Sequence, residues 1–128
     1  MKEQIQTVDL FNELRKAAPV VTGGLLRMRQ KAYSDGAVPG KYKLLAALAI
    51  AVVIKCEPCV KAYVEKARAE YGVSQVELIE FLEVAMTMGG CPGEEWAVKA
   101  LKYWEGAHEA ENMKSSSVAE DDDSCCNT

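Results

Sequence analysis

Two cysteines separated by two residues, Cys56-Glu57-Pro58-Cys59, are the grouping in this 128-residue sequence whose spacing best suits covalent chemistry. An apolar run over residues 44–54 closes on Lys55 just before them, and a second helical pattern begins at Val60 just after. The pair therefore falls at a junction between two helices. A helix N-terminus carries unpaired N–H groups and a partial positive charge. A thiolate placed there is stabilised over the thiol, so its pKa falls and it becomes a nucleophile near neutral pH. One cysteine attacking and the other resolving would make a redox-active dithiol. Two plainer roles compete: buried structural thiols, since free cysteine is often buried, and half of a metal site. Zinc would need two further ligands. Cys91 is one candidate, and no second C-x-x-C or histidine pair accompanies it. The reading is redox, with no metal and no organic cofactor.

Other residues stand within reach of the pair by spacing alone. Tyr63 is four residues past Cys59 and so one turn along the same helix face. It could donate a hydrogen bond to a thiolate or a peroxide oxygen. With a reference pKa of about 10 it is a poor base, and an aromatic packed between helices is the plainer role. Glu57, between the cysteines, is either a local acid–base group or an acidic residue favoured in a helix first turn. Cys91 follows Gly89-Gly90 at a helix start, as a third thiol or a small residue at a turn. Cys125-Cys126 cannot bridge each other without poor geometry. Exposed thiols oxidise readily, so that pair is either a shuttle or incidental. Trp96, Tyr103 and Trp104 have the spacing of a packing face.

The elements that hold these residues are all helical by pattern. Apolar periodicity predicts helices over 4–17, 19–34, 41–55, 57–71, 74–88 and 92–108. Pro19 and Pro92 suit first turns, Gly72 suits a C-cap, and Ser74-Gln75-Val76-Glu77 fits a capping box. No stretch reads as a paired strand, so the fold class is all-α, with about six helices. The run 44–54 is apolar on every side and must be covered on every side, which points to subunit contacts. The last helix is expected to fray past His108. From Asn112 the chain is polar, acidic and serine-rich, and is expected to be disordered. That gives one helical domain over 1–111 and a tail over 112–128.

Composition narrows the function classes. Residues 1–110 are balanced in charge, and the net −4 sits from Glu111 onward. A neutral body with an acidic tail lacks the basic face that nucleic acid requires. The run 44–54 is short of the roughly 20 residues that span a bilayer. Residues 1–16 hold no continuous apolar stretch, so no secretory leader is expected. A cytoplasmic protein follows, in which structural disulfides are rare, and five cysteines are an odd number.

The order of these features resembles a known family. The run LLAALAIAVVIKCEPCVKAY, then GVSQVELIEFLEVAMTMGG, then Pro92, is similar to AhpD-like proteins of the carboxymuconolactone decarboxylase family. The likeness covers roughly residues 19–107. It implies an all-helical subunit assembled as a homo-oligomer, a trimer or hexamer. Members that keep both cysteines reduce peroxides. By that likeness Cys59 attacks a peroxide or disulfide, Cys56 resolves, and an external dithiol reduces the bond. The family pattern has a His four residues after the second cysteine, where Tyr63 stands here. It also has a Glu twelve residues before the first, where Leu44 stands. Those two residues form the family's proton relay. Glu80 or Glu83 could replace the carboxylate, or could be a solvated face. A non-catalytic oligomeric domain with a vestigial or regulatory thiol pair is the alternative. Lactone-acid decarboxylation comes third, because the site lacks an evident base.

Overall fold

The computed structural model describes the backbone of residues 2–123 and the side chains of residues 9–114. Cys125 and Cys126 lie outside the described residues. All regular structure among them is helical: α1 (Lys2–Ala17), α2 (Pro19–Ala32), α3 (Gly40–Val53), α4 (Glu57–Ala69) and α5 (Gln75–Asp123). The chain forms two compact units, one ending at Gly40 and the other starting at Lys41.

In the first unit α1 and α2 pack on each other. Ala18 breaks the helix between them with φ −129° and ψ 59°, and Pro19 opens α2. Thr22 secures that end by donating its hydroxyl to the Ala18 carbonyl at 2.8 Å. No residue of α2 is buried, and Val20, Val21, Leu25, Leu26 and Met28 are exposed. The unit closes where Asp35 Oδ1 accepts the Gly40 N–H at 2.7 Å. A Cβ on Gly40 would strike the Tyr33 carbonyl oxygen, so glycine is required there.

In the second unit the core is built from one stripe of each helix. Leu44, Leu45, Leu48, Ala51 and Val52 of α3 meet Val60, Val64 and Ala67 of α4 and Leu78, Leu82, Ala85, Ala97, Ala100 and Trp104 of α5 as the buried set. Each fully buried leucine or valine contributes about 1.5–3 kcal/mol relative to exposure. The capping box forms as its sequence predicts: Ser74 Oγ accepts the Glu77 N–H at 3.2 Å, and Glu77 Oε1 accepts the Ser74 N–H at 3.1 Å.

The fifth and sixth helices of the sequence pattern are the two arms of α5, separated at Gly90, whose φ of 63° and ψ of −146° leave the helical region. In a straight helix Ala85 and Gly93 would be about 12 Å apart. Instead a Cβ on Gly93 would lie 3.0 Å from the Ala85 carbonyl oxygen, so the arms fold sharply at the kink. One expectation is corrected: α5 does not fray at His108 but continues through Asp123, so residues 112–123 are helical where unstructured chain is expected. Arg68 anchors the far arm, with its Nε donating to Glu111 Oε2 at 3.0 Å and its guanidinium 4.9 Å from the Trp104 ring. In keeping with its all-apolar pattern, α3 is left partly uncovered: Ile50 is 60% exposed, and Ile54 just past its end is 66% exposed. Three helices supply too little surface to surround an all-apolar one.

Candidate functional site

The dithiol is set by two helix ends that share a residue. At the end of α3 the Lys55 N–H bonds the Val52 carbonyl at 3.2 Å, and the Cys56 N–H bonds the Ala51 carbonyl at 3.0 Å. This pair of bonds is the Schellman closure, and it needs a left-handed residue between its last two donors. Lys55 takes that role with φ 59°. Cys56 then serves at once as the N-cap of α4, with extended φ −91° and ψ 91°, and its carbonyl accepts the Val60 N–H at 2.9 Å. Pro58 sits in the first turn, where its missing N–H costs nothing. Cys59 follows one residue later.

Cys56 and Cys59 are half-buried and joined as a disulfide, with Cα atoms 5.3 Å apart. Buried Val52 and Val60 flank the pair in sequence on the core side. No side-chain hydrogen bond caps α4 at Cys56; its sulfur is bonded to that of Cys59 instead. The arrangement gives two sulfurs at the positive end of a helix, within bonding reach and open to solvent on one side.

Glu57 is held from across the unit. Tyr103, on the second arm of α5, donates its hydroxyl to Glu57 Oε1 at 2.9 Å, and Lys99 Nζ lies 3.9 Å from Oε2. Lys99 also sits 4.0 Å from the centre of the Trp96 ring. The Glu57 carboxylate raises the Tyr103 pKa, chiefly through that hydrogen bond and then through burial of the phenol.

The other sequence-derived candidates are placed less closely. Tyr63 is half-buried on α4, one turn beyond Cys59. Glu83 is exposed on the first arm of α5 and makes no hydrogen bond with either cysteine, and Glu80 is exposed beside it. Cys91 is an exposed free thiol just past the Gly90 kink. Leu44, at the position of the family's relay carboxylate, is fully buried. His108 is exposed near the far end of α5, paired with Asn112 at 2.9 Å. Among the described residues no three His, Cys, Asp or Glu side chains are grouped to hold a metal, and no helix is long and apolar enough to cross a membrane. Sequence reasoning missed Tyr103 and Lys99 as neighbours of the pair. Trp104 packs as expected, 4% exposed, while Tyr103 in the same expected face spends its hydroxyl on Glu57. The available signal was the spacing of Trp96, Lys99 and Tyr103 along one helix face.

Residues 19–103 match the model of the carboxymuconolactone decarboxylase family. The chain belongs to that family. A protein of Cupriavidus necator with no characterised role is 33% identical over 95 residues, 74% of this chain and 83% of that protein. A crystal structure of a carboxymuconolactone decarboxylase family protein from Legionella pneumophila shares the fold with a TM-score of 0.75 and 30% identity. That match covers 80% of this chain and 90% of that one. A Thermotoga maritima family protein, described with a suggested part in an antioxidative response, has a TM-score of 0.65 at 24% identity. It covers 73% of this chain and 95% of that one. The all-helical architecture of the family is thus the architecture seen here.

Proposed function

We propose that the chain is a thiol–disulfide oxidoreductase that reduces peroxides or disulfides with Cys56 and Cys59. The observation that carries this reading is the placement of Cys56 at the N-cap and Cys59 in the first turn of α4, with their sulfurs within bonding reach and both residues half-buried. The Cys59 thiolate attacks one oxygen of a peroxide. The O–O bond breaks, the leaving oxygen departs with a proton as alcohol or water, and Cys59 becomes a sulfenic acid. The Cys56 thiol then attacks that sulfur, expels water and forms the disulfide. An external dithiol returns both sulfurs to thiols by exchange, so two electrons pass from it to the peroxide. A disulfide substrate enters the same cycle through a mixed disulfide at Cys59. With Tyr63 and Leu44 at the family's relay positions, helix-end stabilisation of the thiolate carries the activation, and disulfide exchange is the faster of the two reactions. A homo-oligomer, trimer or hexamer, would cover the exposed Ile50 and Val53 of α3 and Ile54 just past its end.

That exposed face also favours a second reading, a non-catalytic assembly domain that keeps the thiol pair without its turnover. The two part in an assay on full-length protein carrying Cys91→Ser, Cys125→Ser and Cys126→Ser. The redox reading expects dithiol-dependent loss of hydrogen peroxide, an organic peroxide or a small disulfide, abolished by Cys59→Ser. Rates equal to the Cys59→Ser background with all three substrates favour the assembly reading.

A further inference from the structure

We infer that Tyr103 is a positioning residue for the dithiol: its hydrogen bond to Glu57, with Lys99 on the other carboxylate oxygen, compensates the one negatively charged side chain of the C-x-x-C turn. This rests on the redox reading of Cys56 and Cys59.

Glu57 is the sole ionisable residue inside the C-x-x-C turn. An uncompensated carboxylate next to a thiolate opposes its formation, because like charges raise the thiol's pKa. Both carboxylate oxygens are engaged from far along the chain, by Tyr103 at 2.9 Å and by Lys99 at 3.9 Å. Trp96, Lys99 and Tyr103 lie at helical spacing on the second arm of α5, and Lys99 is seated over the Trp96 ring at 4.0 Å. The charged groups around this contact are Glu57 itself, Lys99 on its other oxygen and Glu65 of α4, which acts on Tyr103. Glu57 is 52% exposed, and the contact between α4 and α5 already rests on Val60, Val64, Ala67, Ala100 and Trp104. An exposed polar contact adds little to such a core. The clamp thus acts on the site more than on the fold. Because Glu57 pushes the Tyr103 pKa up, the phenol stays a donor across the range in which a thiol titrates.

The test measures alkylation of the reduced protein by iodoacetamide against pH, again with Cys91, Cys125 and Cys126 replaced by Ser. It compares that parent with Tyr103→Phe, Glu57→Gln and the double variant, with melting temperatures alongside. Tyr103→Phe should move the midpoint to higher pH and slow alkylation at pH 7 by about two- to fivefold, the range of an exposed charge-assisted contact. Glu57→Gln should move the midpoint down, and Tyr103→Phe should have no further effect in that background. An unchanged profile in Tyr103→Phe, or an equal shift with and without Glu57, overturns the inference and leaves the redox reading standing. A parent with no alkylatable pair at any pH overturns both. Glu57→Gln keeps the phenol in place, so it reads the charge effect even if Tyr103→Phe folds poorly. A merely structural role would lower the melting temperature without moving the profile.

Discussion

Helices α3 and α4 both end on a left-handed residue and use different residues to do it. The next N–H closes each end, Cys56 to the Ala51 carbonyl five residues back and Val73 to the Ala67 carbonyl six residues back, both at 3.0 Å. In each, the residue before that donor is left-handed, Lys55 with φ 59° and Gly72 with φ 60°. Glycine takes that conformation without a steric cost, whereas a lysine pays about 1–2 kcal/mol. After Gly72 the chain drops buried Val73 into the core and runs on to the capping box of α5. After Lys55 there is no such relief, since Cys56 is already the N-cap of α4. Strain of this kind persists where surrounding structure over-determines it, often at functional sites. The plain junction serves the fold, and the strained one holds the dithiol.

The largest expected effect breaks the strained junction outright. Lys55→Pro fixes φ near −65° and removes the N–H that bonds Val52. It should destabilise the protein by about 3 kcal/mol in urea unfolding and disorder the pair. A loss below about 1 kcal/mol would show that the closure at α3 is dispensable.

A reciprocal exchange sharpens the comparison. A side chain at Gly72 would meet open space, so Gly72→Lys isolates the backbone cost and should destabilise by about 1 kcal/mol. Lys55→Gly should relieve the same cost and stabilise by up to about 1 kcal/mol, less what glycine adds to the freedom of the unfolded chain. Equal and same-signed effects at both sites would dissolve the distinction between the junctions.

A smaller effect distinguishes the starts of α5 and α4 by pH. Glu77, in the capping box, has its pKa lowered first by the hydrogen bond from Lys41 and then by the Ser74 N–H. Lys41 Nζ lies 2.8 Å from Glu77 Oε2, and the Lys41 pKa is raised by the same contact. A lowered carboxyl pKa stabilises the fold above its unfolded value of about 4.3 and loses that contribution as pH falls through the folded value. The raised lysine contributes below its unfolded value of about 10.4 and fades as pH climbs through the folded one. Glu77→Gln should therefore flatten the acid limb of melting temperature against pH. An unaltered acid limb would remove Glu77 from the account.

Much of this was legible in the chain because it is local. The capping box and the break at Gly89-Gly90 each depend on residues within a turn of one another, and each stands where its sequence signal lies; α4 itself ends two residues short of the expected cap, at Glu70, and Gly72 supplies the left-handed turn beyond it. Lys55 was not legible as a left-handed residue, because lysine carries no such signal and its conformation is forced by the helices on either side. The Tyr103–Glu57 bond was hidden by its span of 46 residues, which no periodicity reports. The exposed side of α3 was visible as an all-apolar pattern. What covers it depends on how much surface the other helices supply, which is a property of packing.

The central claim is that Cys56 and Cys59 form a working redox pair at the strained junction. The most direct measurement treats the reduced protein, with Cys91, Cys125 and Cys126 replaced by Ser, with hydrogen peroxide. Free thiols are counted and the disulfide is mapped by mass spectrometry. The account predicts loss of both thiols as a Cys56–Cys59 bond, reversed by a dithiol and blocked by Cys59→Ser. Survival of both thiols in excess peroxide, with no exchange against a disulfide probe, would contradict it.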